Sequence, residues 1–167
     1  MKYHKIEKYS IANGNGVRCV LWISGCEVHC KNCQNPQTWD KCSGIYFDKN
    51  AKEELIETLS KDYIKGLTLS GGNPLEKYNI SELLSLLKEI KKLYPNKDIW
   101  CYSGYTYEQL MQREDLKDIW QYIDVLIDGP YIDEQRDITL KWRGSKNQRV
   151  INIPQSIKEN EVILFCD

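Results

Sequence analysis

No charge of one sign dominates this 167-residue sequence: 23 Lys and Arg stand against 24 Asp and Glu, a formal net charge of −1. That balance excludes a broadly basic nucleic-acid binder. Long hydrophobic runs are also missing. The longest, such as 19–23 and 162–166, fall far short of the ~20 apolar residues a membrane-spanning helix needs. The segment Met1–Ser10 is charged and lacks the apolar centre of a secretion signal, so a cytoplasmic location is expected. Internal repeats, low-complexity tracts and linkers are absent, and the length suits one domain, residues 1–167.

What is present is an ordinary soluble composition, 41% hydrophobic and 28% charged, with 5 Trp and 11 Tyr to supply buried area. The unusual number is seven cysteines. The count is odd, and a cytosolic chain of this size needs no disulfide staples, so ligand or redox roles come to the front.

Val17–Ile23 mixes β-branched and aromatic residues and reads as a buried strand, followed by a cysteine-rich loop over 24–44. Asn50-x-x-Glu53 has the form of a capping box, Leu55, Ile56 and Leu59 give its helix one apolar face, and Gly66 is placed at the end of that unit. Leu67–Ser70 reads as a strand running into Gly71-Gly72-Asn73-Pro74. Asn79-x-x-Glu82 is a second capping-box pattern ahead of a leucine-rich helix through Leu93. Asp98–Tyr102 is the next strand, Thr106-x-x-Gln109 opens a helix, and Tyr122–Asp128, Arg149–Ile153 and Glu161–Phe165 are further strands. The alternation predicts an α/β fold with a mostly parallel sheet, in which loops at the carboxyl ends of strands gather on one rim. On that rim fall the cysteine loop, the glycine turn, Ser103-Gly104 and Asp128-Gly129.

Cys26, Cys30 and Cys33 form a C-x3-C-x2-C pattern, three thiols packed into eight residues. Such spacing wraps one soft-metal site. Three protein ligands on a [4Fe–4S] cluster leave one iron open to an outside chelator. Three other readings stand beside this one on spacing alone. Cys42 as a fourth ligand gives a closed cluster, His29 gives a Cys3His zinc site, and free cysteines also serve as small buried hydrophobes. Cys19, Cys101 and Cys166 sit in apolar strand patterns, where core packing is the expected role.

The triad and the Ser70–Pro74 turn resemble the radical S-adenosylmethionine (SAM) superfamily. Within it the resemblance is narrowest to the family of activating proteins for anaerobic ribonucleoside-triphosphate reductase. It runs through Asn13–Arg18, Ser24–Cys26, Asn35–Trp39, Asp98–Trp100, Ser103–Tyr105, Asp124–Gly129 and Trp142–Gln148, nearly the whole chain. The resemblance implies an incomplete (β/α) barrel of radical SAM type. It implies that Cys26, Cys30 and Cys33 ligate a [4Fe–4S] cluster whose open iron binds SAM. It further implies an oxidoreductase that cleaves SAM reductively and makes a glycyl radical on the catalytic subunit of the reductase, fed by a flavodoxin- or ferredoxin-type reductant. Nucleic acid and membrane are not implied partners.

By the same resemblance Gly71, Gly72 and Asn73 hold the methionine end of SAM, and Asn32, Cys33 and Gln34 line its adenine side. Ser103 and Asp128 are candidates for polar contacts to it, Asp128 as a ribose-hydroxyl acceptor; the plainer role for either is a turn or helix cap. Arg143, Asn147 and Gln148 match a family stretch without a mechanism assigned to them; shaping the surface that docks the partner is one reading, and a salt bridge is the plainer one for Arg143. Two positions depart from the family: Asn73 stands where a carboxylate usually follows Gly-Gly, and Asn32 and Gln34 flank Cys33 where an aromatic residue is common. The other readings are an activase of a different glycyl-radical enzyme or a small radical SAM modifier, and a non-catalytic iron–sulfur or zinc module with Cys42 or His29 as fourth ligand.

Overall fold

The structure, a computed structural model, describes residues 1–165. Cys166 lies outside the described residues. Seven strands form one sheet: β1 (Lys2–Ser10), β2 (Val17–Ile23), β3 (Ile45–Tyr46), β4 (Ile64–Gly71), β5 (Asp98–Tyr102), β6 (Val125–Asp128) and β7 (Arg149–Asn152). Four α-helices accompany them: α1 (Lys49–Leu59), α2 (Ile80–Leu93), α3 (Tyr107–Met111) and α4 (Ile153–Glu159). The strand order is β3-β1-β2-β4-β5-β6-β7.

This corrects the expected incomplete (β/α) barrel with a mostly parallel sheet. The sheet is open and mixed. The β2–β4, β4–β5 and β5–β6 pairings are parallel, whereas β3–β1, β1–β2 and β6–β7 are antiparallel. Two strands are not expected from the sequence: β1, whose alternation is masked by lysines and glutamate, and the two-residue β3. The β1–β2 link, residues 11–16, is too short for the crossover a parallel pair requires, so β1 lies antiparallel on β2. Only a short 3-10 turn, Asp133–Gln135, and no α-helix lies between β6 and β7. With antiparallel strands at both edges the sheet stays open. Among the described residues no helix is long and apolar enough to cross a membrane.

Alternation along the strands builds two different faces. Cys19, Leu21 and Ile23 of β2, Leu67 and Leu69 of β4, Ile99 and Cys101 of β5 and Leu126 of β6 join Leu55, Leu59, Leu83, Leu87 and Ile90 of the helices in the main core. Burial pushes the Cys19 thiol up to about 12 and raises that of Cys101 further, so both are inert packing groups. The opposite face carries Trp100, Val125, Ile127 and Val150, covered not by helices but by loop residues such as Trp142. The Trp100 ring meets Trp142 at 4.9 Å and Phe165 at 5.1 Å, both edge-on.

Several local expectations change in tertiary context. Helix α1 is capped by Asp48, which accepts from Ala51 N, rather than by Asn50. Asn79 makes no cap; its amide donates to Ser24 O. Gly66 lies inside β4, where a Cβ would meet Asp98 O at 2.0 Å. Thr106 and Gln109 do form a reciprocal capping box. Glu161–Phe165 contributes an isolated bridge, Ile151 to Leu164, instead of a strand.

Candidate functional site

The cysteine loop leaves the carboxyl end of β2 and is pinned at both ends of its curl. Gly25 N donates to Thr38 O at 2.7 Å, and Cys26 N donates to Trp39 O at 3.0 Å. The Thr38 hydroxyl in turn donates to Asn35 O at 2.7 Å, closing the short 3-10 turn Pro36–Thr38. Inside the curl His29 and Asn32 take left-handed φ values of 49° and 56°. Non-glycine residues seldom do so, Asn and His being among the more tolerant. These reversals fold Cys26–Cys33 back on itself.

Cys26, Cys30 and Cys33 are free thiols, each half-buried. Burial raises the Cys26 pKa, opposed by backbone hydrogen bonds from His29 and Val28 and reinforced by the charges of Glu76 and Cys30. Burial also raises Cys30, opposed by a backbone hydrogen bond from Tyr131 and reinforced by Cys33. Cys33 Sγ accepts from Asn35 N at 3.3 Å. The thiols therefore lie within one another's fields, and backbone N–H groups already point at sulfur.

Among the described residues no three His, Cys, Asp or Glu side chains converge on one metal-sized point. A cubane cluster offers a separate iron to each thiolate, so three sulfurs on one curl, fed by backbone N–H donors, fit it. The two fourth-ligand candidates lie in different settings. His29 is stacked on Trp39 at 4.6 Å between ring centres, and Cys42 is exposed in a turn tied by its N–H to Asp40 Oδ1.

The glycine turn packs directly on this loop. Gly72 N donates to Ile23 O at 2.8 Å, and Asn73 N donates to Gly25 O at 2.7 Å. A Cβ on Gly72 would meet Gly25 O at 2.3 Å and Thr38 O at 2.9 Å. The missing side chain first serves the backbone-to-backbone contact between the exits of β2 and β4.

Asn73 is fully buried and acts as a bridge. Its Nδ2 donates to Glu76 Oε1 at 2.9 Å, and its Oδ1 accepts from the Ser103 hydroxyl at 3.1 Å. Ser103 Oγ also accepts from Tyr105 N at 3.1 Å. Asn73 and Ser103 are thus brought together, joining the exits of β4 and β5. Asp128 is separate from them. Its Oδ2 accepts from Tyr107 N at 2.7 Å at the start of α3, and its Oδ1 accepts from Arg149 Nε at 3.1 Å. Both oxygens are engaged, so this side chain caps α3 and pairs with Arg149. Asn32 donates to Asp133 Oδ2 at 2.7 Å, fastening the cysteine loop to the long β6–β7 connection.

A cleft of about 440 Å³ opens on the helix-free face, with Cys33 and Gln34 in one wall and Arg143 in the other. Trp22, Ser70 and Tyr102, projecting from adjacent parallel strands, also line it. Arg143 Nε is shut off from water without a hydrogen-bond partner among the described residues. Unpaired buried donors are rare in finished structures, and one in a cleft wall points to a missing acceptor. Asn147 and Gln148 hold the β6–β7 connection in shape, donating to Pro130 O at 2.7 Å and Gly129 O at 3.1 Å.

Two residues escaped the sequence reading. Arg18 is fully buried; it donates from Nε to Thr68 Oγ1 at 2.7 Å and pairs by charge with Asp98 at 2.6 Å. Its signal was the apolar setting of an arginine within a strand. Glu76 is buried beside the cysteine loop, and nothing in its spacing distinguished it from an exposed turn residue.

The model of the family described as "4Fe-4S single cluster domain" matches residues 12–151. Curated proteins named anaerobic ribonucleoside-triphosphate reductase-activating protein are similar over most of the chain. The Haemophilus influenzae protein is 42% identical over 150 residues, covering 89% of this chain and 96% of its own. That of enterobacteria phage T4 is 43% identical over 152 residues, covering 90% and 93%. The Escherichia coli K12 protein is 40% identical over 156 residues, covering 90% and 97%.

Proposed function

The chain belongs to the family of anaerobic ribonucleoside-triphosphate reductase-activating proteins, with a 4Fe-4S single cluster domain, and from that premise we propose that it is a radical SAM activase. Its target is a glycine of the catalytic subunit of the anaerobic reductase. Cys26, Cys30 and Cys33 would hold three irons of a [4Fe–4S] cluster, leaving the fourth for the amino and carboxylate groups of SAM. The chemistry supplied by the bound group is one-electron cleavage of the C5′–S bond, giving methionine and a 5′-deoxyadenosyl radical that takes a hydrogen atom from the glycine. A flavodoxin- or ferredoxin-type reductant supplies the electron, and the cytoplasm is the setting.

The observation that carries this reading is a cleft with Cys33 in its wall at the carboxyl ends of parallel strands. This is where α/β sheets place their ligands. The chain's own residues have three tasks there. The Gly25–Gly72 contact and the Asn73–Ser103 bridge hold the cysteine curl against the strand ends. The Trp22, Tyr102 and Trp142 rings narrow the cleft and keep water from a reactive carbon radical. Gln34, Ser70 and Arg143 offer polar contacts, Arg143 to a carbonyl of the incoming glycine loop.

Electron paramagnetic resonance of anaerobically reconstituted, reduced protein tests the reading. A reduced [4Fe–4S] signal that changes shape on adding SAM is the expected result. A signal indifferent to saturating SAM would mean a closed electron carrier and overturn it.

A further inference from the structure

We propose that Glu76 is a positioning residue that sets the reduction potential of the cluster, by placing a buried carboxylate beside Cys26 and by claiming the first backbone N–H after that cysteine. The inference rests on the reading of Cys26, Cys30 and Cys33 as cluster ligands.

Glu76 is 3% exposed. Its Oε1 accepts from Glu27 N at 3.0 Å, from Asn73 Nδ2 at 2.9 Å and from the Tyr105 hydroxyl at 3.5 Å. One oxygen therefore gathers groups from the exits of β2, β4 and β5. No described Lys or Arg pairs with it. Arg113, which lines a second pocket together with Glu76 and Lys77, instead pairs with Asp115 and donates to Leu75 O at 2.6 Å. The carboxylate is held by neutral donors and makes no ion pair among the described residues, although Arg113 opposes its field at Tyr105. That field reaches Cys26 and the rings of Tyr78 and Tyr105, all of whose pKa values it helps to raise.

Two effects act in the same direction. Reduction adds one electron to the cluster and neither makes nor breaks a bond in the protein; the electron comes from an external low-potential donor. A fixed negative charge in a poorly solvated site disfavours that added electron. Hydrogen bonds to the sulfurs favour it. Glu76 supplies the first and removes one candidate for the second, since the Glu27 N–H points at carboxylate instead of sulfur. Both lower the potential, making the reduced state a stronger donor, as cleavage of a sulfonium requires. The arrangement also accounts for Asn73: the carboxylate comes from three residues further on, and the amide links it to Ser103.

The test is a redox titration monitored by electron paramagnetic resonance on anaerobically reconstituted full-length chain without SAM, with iron and sulfide content measured in parallel. Glu76→Gln keeps an acceptor of the same shape and removes the charge. It is expected to load the cluster at wild-type stoichiometry and titrate at a less negative potential. Glu76→Asp, which restores the charge, is expected to return the midpoint toward wild type. A Gln variant titrating with wild type would overturn the proposal and leave Glu76 as a loop anchor only. Should the Gln variant load too little cluster, the Asp and Ala variants decide: a more negative midpoint for Asp supports the proposal, and equal midpoints overturn it. Failure of wild type to bind a cluster would overturn the ligand reading and this inference together, whereas a shifted midpoint with a SAM-indifferent signal would overturn the proposed activity alone.

Discussion

Gly72 lies so close to Gly25 that a Cβ on Gly72 would sit 2.3 Å from the Gly25 carbonyl oxygen. The neighbouring Asn73 N–H donates to that same oxygen at 2.7 Å. The turn that ends β4 is therefore part of the support of the cysteine loop. Gly72→Val must move the Gly25 or Thr38 backbone, at a cost of about 1–3 kcal/mol for overpacking. The expected outcome is loss of cluster loading together with SAM binding, read as iron and sulfide content after reconstitution. Full loading with only SAM affinity reduced would show that the turn acts on the ligand alone.

The four cysteines of the loop divide by position. Cys26→Ala, Cys30→Ala and Cys33→Ala are each expected to abolish the cluster signal and SAM cleavage. Cys42 is exposed, outside the curl closed by Gly25 and Thr38, and Cys42→Ala should leave both intact. Loss of the cluster in Cys42→Ala would replace the open site by a closed one.

Arg143→Ala removes the one guanidinium in the cleft beside Cys33. Among the described residues its Nε has no partner to lose, so thermal stability should hold. A charged hydrogen bond to a peptide carbonyl is worth about 1.5–3 kcal/mol, or ~10- to 100-fold. We expect glycyl-radical yield on the reductase to fall on that scale while the SAM-dependent change of the cluster signal persists. Loss of that change would assign Arg143 to SAM.

Arg149→Met leaves Asp128 buried without its cation. Arg149 is a third exposed, so stranding the buried carboxylate costs about 1–3 kcal/mol. Chemical denaturation should show that loss, with Asp128→Asn less severe because the amide still accepts from Tyr107 N. An unchanged midpoint of unfolding would contradict the structural role of the pair.

Acid sensitivity should involve the outer arm of the same arginine. Hydrogen bonding to Arg149 holds Glu108 well down, from 4.5 to about 2. Because the folded value is the lower one, the stabilisation is present above the ordinary carboxylate range and is lost as pH falls from 4.5 toward 2. Both groups are substantially solvated, so the pair contributes at most ~1 kcal/mol. Glu108→Gln should therefore lower stability slightly at pH 7 and converge with wild type near pH 2 in urea titrations.

Local sequence determined a good deal of this protein. Val17–Ile23 and Asp98–Tyr102 form strands over the read boundaries, because their β-branched and aromatic side chains fit a half-buried pleat. Thr106 and Gln109 form their capping box, because both partners lie within one turn. The family is legible in Cys26, Cys30 and Cys33 with Gly71-Gly72, because soft-metal chemistry needs particular atoms at short spacing.

What only the tertiary structure decided involves residues distant in sequence. Whether β1 lies parallel or antiparallel, and so whether the sheet can close, depends on a short link and on edges that local pattern does not describe. Asn50 and Asn79 have the composition of caps, yet Asp48 takes the first role and Ser24 O claims the second side chain. Asp128 reads equally as ligand or cap until Arg149, twenty-one residues away, occupies its oxygens. Glu76 gains its place only when the exits of β2, β4 and β5 meet around one carboxylate oxygen. A buried charge is defined by what surrounds it in space, and the chain order of those surroundings carries no mark of their meeting.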